Sequence, residues 1–145
     1  MITVKQFGEL NVYELYEILR ARCDIFVIEQ HCFYPDLDKI DYDAWHVFER
    51  DEQTGEVKSY ARLFTDNDNK WHIGRVLARN RLAGEGRELM LATLATAREL
   101  GATAIEIDAQ TYCIGFYEKL GFSVISDEFE EAGIMHVKMT TKWNA

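Results

Sequence analysis

His72–Leu100 reads HIGRVLARNRLAGEGRELMLATLATAREL. Ile73–Ala78 has the pattern of a strand, a turn dense in arginine and glycine follows, and the run to Leu100 predicts a long helix. Gly84 and Gly86 fall where that helix begins. Glycine lets the backbone come close to a ligand, and the first amides of a helix have no partner within it. Those amides, with the positive end of the helix dipole, make an anion site. Arg75, Arg79, Arg81 and Arg87 stand there against one acid, Glu85, on a chain of formal charge −9. A cationic notch in an acidic protein predicts a specific anionic ligand.

The rest of the chain sets the bounds. At 145 residues it is expected to form one domain, 1–145, with a sizeable core. Hydrophobic residues make up 48% and charged residues 28% with a single proline, a soluble globular composition. No apolar run has the length of a membrane span, and no cleavable leader is expected before the first strand. The negative net charge argues against general nucleic-acid binding, which needs broad phosphate neutralisation. Cys23, Cys32 and Cys113 show no CxxC spacing, so reduced thiols in a cytoplasmic protein are expected.

In chain order, Met1–Gln6 alternates as a short strand. Asn11 or a neighbour is expected to cap a helix with apolar positions from Val12 to Val27 at spacings of three and four. Gln30–Ala44 holds the only proline and four acids, and reads as a loop with a short helical turn. Trp45–Glu49 and Val57–Phe64 predict two strands joined through a polar turn. The helix from about Gly84 to Leu100 is apolar nearly all round, which predicts burial against a sheet, and Gly101 is expected to cap it. Thr103–Asp108 alternates as a strand, and Tyr112–Leu120 predicts a short helix stopped by Gly121. Phe122–Ile125 and Ile134–Thr141 read as closing strands around an acidic turn, DEFEEAG. The order β α β β β α β α β β predicts an α/β (α+β) layer with a mixed sheet.

Three phosphate-binding patterns can be set against Arg81–Leu89. A P-loop needs Lys and then Ser or Thr after its last glycine, where Arg87-Glu88 stand. A dinucleotide fingerprint needs a third glycine, where Leu89 stands. What remains, Arg81-Leu82-Ala83-Gly84-Glu85-Gly86, resembles the R/Q-x-x-G-x-G/A signature of the GNAT superfamily of N-acetyltransferases. Downstream, Gly115-Phe116-Tyr117-Glu118-Lys119-Leu120-Gly121-Phe122 resembles that superfamily's short helix ending in FYEKLGF. The resemblance narrows to its ElaA-like branch through Arg22-Cys23, Phe26-Val27, Glu29-Gln30, Cys32, Tyr34, Asp36, Asp38 and His46. Tyr60-Ala61-Arg62, Ile73-Gly74-Arg75-Val76, Glu130-Glu131, Gly133-Ile134, His136 and Met139 add to it. One departure is a link from Val76 to Arg81 shorter than the branch pattern.

The resemblance implies a GNAT-like domain whose mixed, mostly antiparallel central sheet of about six to seven strands is flanked by helices. It implies acetyl-CoA as donor and a free amine of a small molecule or peptide as acceptor, with no metal, nucleic acid or membrane partner. Val76 and Ala78 would pair with the pantetheine arm as an added strand. The backbone from Arg81 through Leu82, Ala83, Gly84, Glu85 and Gly86 to Arg87 would hold the pyrophosphate. Gln110 would hydrogen-bond the pantetheine arm, with Phe116 and Tyr117 beside the sulfur. Tyr117, a phenol with a reference pKa of about 10, would protonate the leaving thiolate. The amine must first lose a proton; Glu29, His46, His72, Glu106 and His136 are the candidate acceptors, and Glu29 and His46 are expected to be catalytic. Glu29, Asp36, Asp38, Arg62 and His136 are expected on the acceptor side, the acids forming a wall that attracts a cationic amine.

Other chemistries fit less well. Cys113 has no His–Asp pattern around it and reads as a packed thiol. His31-Cys32 with His46 lacks ligand pairs at zinc spacing, and the acids at 36, 38, 41 and 43 lack the glycine and distal glutamate of a calcium loop. Arg22, Phe26, Asp36-x-Asp38-x-x-Asp41 and His46 distantly resemble acyl-homoserine lactone synthases, which generally lack an intact R-x-x-G-x-G. A non-enzymatic acyl-CoA-binding module is the third reading. The closing strands leave room for pairing between two copies in a homodimer.

Overall fold

Asn11 starts the first helix as expected. Its side-chain oxygen accepts the Glu14 amide at 2.8 Å, and Glu14 Oε1 accepts the Asn11 amide at 2.9 Å. This reciprocal cap begins α1 (Val12–Arg22) in the computed structural model, which describes residues 1–81 and 83–143. The expected continuation to Val27 is helical but wider: Cys23–Glu29 is wound as π-helix. That winding keeps Ile25 in the core with Ile18 and Ala21 and brings Gln30 to the rim of the cleft described below.

The strands are β1 (Ile2–Gln6), β2 (Trp45–Arg50), β3 (Val57–Thr65), β4 (Trp71–Ala78), β5 (Ala104–Gln110), β6 (Ser123–Val124), β7 (Phe129–Glu131) and β8 (Ile134–Lys142). They form one sheet in the order β1-β2-β3-β4-β5-β8-β6, with β7 also on β8. The described residues thus hold eight strands rather than six or seven. The added one, β7, lies in the stretch read as an acidic turn. It closes on β8 through Ala132 (φ 53°) and Gly133 (φ 80°), a two-residue left-handed turn suited to a tight hairpin. Its acidic composition hid it, because pairing with β8 rather than local propensity makes it a strand.

Two layers cover the sheet. On one face α2 (Glu85–Glu99) and α3 (Ile114–Lys119) pack against Val47, Ala61, Leu63, Ile73, Ile105 and Ile107. On the other, α1 packs against Phe48, Tyr60 and Leu77. The helix α2 is not buried all round: Leu89, Met90, Thr93 and Ala97 are covered, while Leu91 is 42% exposed. It lies on one sheet face with no third layer above it, so one stripe is enough. Gly101, at φ 96°, ends it as expected, with the Ala102 amide reaching back to the Ala97 carbonyl at 3.0 Å. No helix among the described residues is long and apolar enough to cross a membrane.

What positions the site is a fault in this sheet. All strand pairs are antiparallel except β4 with β5, which run parallel and pair only at Trp71↔Ile105 and His72↔Glu106. Beyond His72 the two strands part. The β3–β4 register shifts between Tyr60 and Arg62, opposite Arg75, whose φ is 53°. Such a bulge bends its strand and raises its twist, turning β4 away from β5.

Candidate functional site

The parted strands open a cleft of about 840 Å³. Ile73 to Ala78 line it from one side, Glu106, Ile107, Asp108 and Gln110 from the other, and Phe116 and Tyr117 of α3 close it toward the α2 face. Past His72, the β5 side of β4 is an unpaired strand edge that an extended ligand can pair with. Val76 and Ala78 lie on that edge.

At the mouth stands the N-terminus of α2. Gly84 caps it at φ 74°, and a Cβ there would meet nothing within 4 Å, so the backbone faces open space. At Gly86 a Cβ would touch Ala78 Cβ and Phe116 Cζ at 3.6 Å, and the missing side chain lets the helix start sit between β4 and α3. Ala83, Glu85 and Arg87 continue this rim; Leu82 lies outside the described residues. The four-arginine notch, however, is divided. Arg75 turns to Asp36 at 2.8 Å, and Arg79 pairs with Asp24 at 3.0 Å and donates to the Val57 carbonyl. Arg81 and Arg87 remain at the mouth, joined by Lys119, which the sequence reading missed because it sits inside the FYEKLGF match. Arg81 Nη2 holds Glu29 Oε1 at 2.7 Å.

Tyr117 is 8% exposed, edge-on to Phe116 at 5.1 Å and Phe122 at 5.8 Å. Burial pushes its phenol well above the ordinary tyrosine value, so the proton stays on at neutral pH. Gln110 exchanges side-chain hydrogen bonds with Gln30 at 2.9 and 3.4 Å, and Gln30 also donates to the Tyr112 hydroxyl at 3.2 Å. These contacts bridge the two sides of the cleft, a role for Gln30 that no sequence spacing signals. Cys113 lines the wall with its thiol pushed up by burial, away from thiolate character.

The acceptor side departs most from expectation. Arg22, fully buried, donates to Asp36 Oδ2 at 2.9 Å, to the Asp36 carbonyl at 2.8 Å and to Asp41 Oδ1 at 2.7 Å. Arg62 grips both Asp38 oxygens at 2.8 and 2.6 Å and reaches Asp41 at 3.1 Å. With Arg75 on Asp36, three arginines face three aspartates and this network carries no net charge. Asp36 and Asp38 are therefore neutralised struts of the cleft wall rather than free acids facing an amine. Burial alone would raise the Asp41 carboxyl, but Arg22 and Arg62 outweigh it and hold it below its ordinary value. Asp38 is lowered in the same way by Arg62 and Arg75.

His46, expected among the proton acceptors, is set apart from the cleft. It is 1% exposed, with Nδ1 on the Tyr60 hydroxyl at 2.7 Å and Nε2 on the Asp41 carbonyl at 2.9 Å. A carbonyl only accepts, so Nε2 carries the proton and Nδ1 receives the phenol's. Both nitrogens are in use, and burial lowers the ring's pKa. Glu29 is tied to Arg81 and stands outside the cleft lining. His136 lines the cleft, with Nδ1 on the Ile134 carbonyl at 2.7 Å. Among the described residues no three His, Cys, Asp or Glu side chains are grouped as metal ligands.

Known proteins resemble this chain over nearly its whole length. The Acetyltransferase (GNAT) domain family model matches residues 26–143. UPF0039 protein C11D3.02c of Schizosaccharomyces pombe is 37% identical over 93% of this chain and 92% of its own. Protein ElaA of Escherichia coli is 35% identical over 91% of this chain and 90% of its own. Its crystal structure superposes with a TM-score of 0.89 at 32% identity, over 98% of this chain and 99% of that one. An acyl-CoA N-acyltransferase of Pseudomonas aeruginosa superposes equally well, at a TM-score of 0.89 and 29% identity, over 97% and 99%. The fold is that of enzymes moving acyl groups from acyl-CoA, and the chain belongs to the GNAT acetyltransferase family, among relatives of the ElaA kind.

Proposed function

We propose that this protein transfers an acetyl group from acetyl-CoA to a free amine of a small molecule or peptide by direct attack within a ternary complex. The observation that carries the reading is the parting of β4 from β5, with a helix N-terminus at the mouth and a protonated phenol in the wall. An extended pantetheine arm matches the unpaired edge at Val76 and Ala78. The pyrophosphate matches the first amides of α2 from Ala83 to Arg87 and the Arg81 side chain, which would exchange Glu29 for phosphate. The nitrogen–carbon bond forms, the carbon–sulfur bond breaks, and the Tyr117 hydroxyl passes its proton to the departing sulfur. Holding amine and thioester together supplies most of the acceleration, with backbone donors at the bulge for the carbonyl oxygen.

The test is thiol release from acetyl-CoA against a panel of amines. Release with at least one amine is expected; none from any would leave the protein a binding module. Acetyl-CoA is also expected to raise the melting temperature, and Gly84→Asp to abolish the rise. That position needs a positive φ and opens onto the phosphate path, so the change adds strain and a negative charge there. An undiminished shift in the mutant would place the pyrophosphate elsewhere.

A further inference from the structure

We infer that His136 is the proton acceptor that converts the incoming ammonium to the attacking amine, an inference that rests on the acetyl-transfer reading. Its Nδ1 lies 2.7 Å from the Ile134 carbonyl, which can only accept, so in the neutral ring Nδ1 carries the hydrogen and Nε2 holds the lone pair. The ring is 9% exposed and stacked on Phe129 at 5.8 Å, so its orientation is held. Nε2 has no hydrogen-bond partner among the described residues, and the side chain lines the cleft.

The sheet puts this lone pair on the side the reaction needs. Ile105, Ile107 and Ala109 of β5 pack in the core under α2 and α3, together with Tyr117. By strand alternation Glu106, Asp108 and Gln110 face the other way, and His136 on β8 lies directly across from Gln110 on that same face. Acid and base thus stand on opposite faces of the sheet at its split, the acid with the sulfur and the base where an amine enters. The height also fits. The parallel register ends at His72↔Glu106, and carrying it four residues on sets Gln110, with His136 beside it, level with the bulge at Arg75 and Val76.

The acceptors on the two split strands themselves are worse placed or engaged. His72 stands at the closed end of the split, about 13 Å along the strand at about 3.3 Å per residue, with Nε2 on Asp66 Oδ2 at 2.7 Å. Glu106 and Asp108 share Lys138 at 3.6 and 3.0 Å. The charged and titratable groups bordering His136 are Asp108 and Glu106 on β5, Lys138 on its own strand, and Glu130 and Glu131 on β7. Across the cleft stand Cys32, Tyr34 and Arg75. Nε2 takes one proton from the ammonium and returns it to solvent. The amine then bonds to the acyl carbon, the sulfur leaves with the proton of Tyr117, and the second proton lost from nitrogen restores the phenol.

His136→Asn tests this, because the asparagine amide can still donate to the Ile134 carbonyl while Nε2 is gone. With fold and acetyl-CoA thermal shift unchanged, turnover of a strongly basic amine at pH 7 is expected to fall about 100-fold. The deficit should shrink as pH rises toward the amine's own pKa, since free base then forms without help. A weakly basic amine, already neutral at pH 7, should lose less than about tenfold on the same scale. His136→Gln is read in the same way if the asparagine variant folds poorly. Equal losses for both amines, or a rate and pH profile like the wild type's, would overturn the assignment. Absence of thiol release from the wild type, with acetyl-CoA still bound, would overturn the acetyl-transfer reading instead.

Discussion

Arg22→Ala is expected to lower the unfolding free energy by about 3–5 kcal/mol, the cost of breaking a buried ion pair from one side. Arg22 is fully buried and supplies three hydrogen bonds, at 2.7 to 2.9 Å, to Asp36 and Asp41. Without it both carboxylates lose the partner that offsets their desolvation, and Arg62 and Arg75 cannot replace all three bonds. A domain of this size has about 5–15 kcal/mol in total, so the variant should sit near its unfolding threshold. Urea denaturation reads the effect as a lower midpoint, and a loss under about 1 kcal/mol would mean the loop relaxes onto solvent at little cost.

The same network sets the acid limit. Asp38 and Asp41 have folded pKa values below their unfolded ones, so their contribution is full above the unfolded value of about 3.9 and is lost as pH falls through the folded values. His46 acts earlier: its lowered pKa makes folding weaken as pH drops below the unfolded histidine value of about 6.5. Acid unfolding followed by fluorescence should therefore begin in the histidine range and steepen below pH 4. In Arg22→Ala the Asp41 part of the aspartate stage should shrink, while Asp38, held by Arg62 and Arg75, keeps its part.

Tyr117→Phe is expected to lower turnover about 100-fold or more, the usual contribution of a positioned acid, while acetyl-CoA affinity stays within about twofold. The ring is wedged between Phe116 and Phe122, and phenylalanine keeps that packing, so stability should change little. What disappears is the buried phenol proton that the proposed transfer would pass to the departing sulfur. Burial raises the phenol's pKa, so wild-type activity should not fall on the alkaline side through loss of this proton within the normal tyrosine range. Single-turnover rates with saturating acetyl-CoA separate the step from binding. Full activity in the variant would hand the proton to water.

Much of the fold could be read along the chain because its signals are local. Asn11 as a cap, Gly101 as a helix stop and the alternation of Ile105 and Ile107 each follow from the few residues around them. The glycines at 84 and 86 announced a helix start with open backbone, because conformational freedom belongs to the residue type itself. Four arginines together suggested one anion site, but charge in sequence says nothing of partners. The fold takes Arg75 and Arg79 to acids at positions 36 and 24, leaving Arg81 and Arg87 at the mouth.

The acceptor side lay beyond the sequence for the same reason. Asp36 and Asp38 read as an exposed acidic wall, yet Arg22 and Arg62 come from a helix and a strand far along the chain to neutralise them. His46 looked as available as any histidine until burial engaged both ring nitrogens. His136 differs from it in the tautomer that its carbonyl partner fixes and in the open Nε2, and both are decided by the folded backbone around it. By itself the sequence determined the glycine-rich helix start at the mouth of the cleft, where the character lies in backbone and glycine. Only the tertiary structure decided the side expected to take the acceptor, where each side chain's surroundings depend on which distant charge, carbonyl or open space the folded chain sets against it.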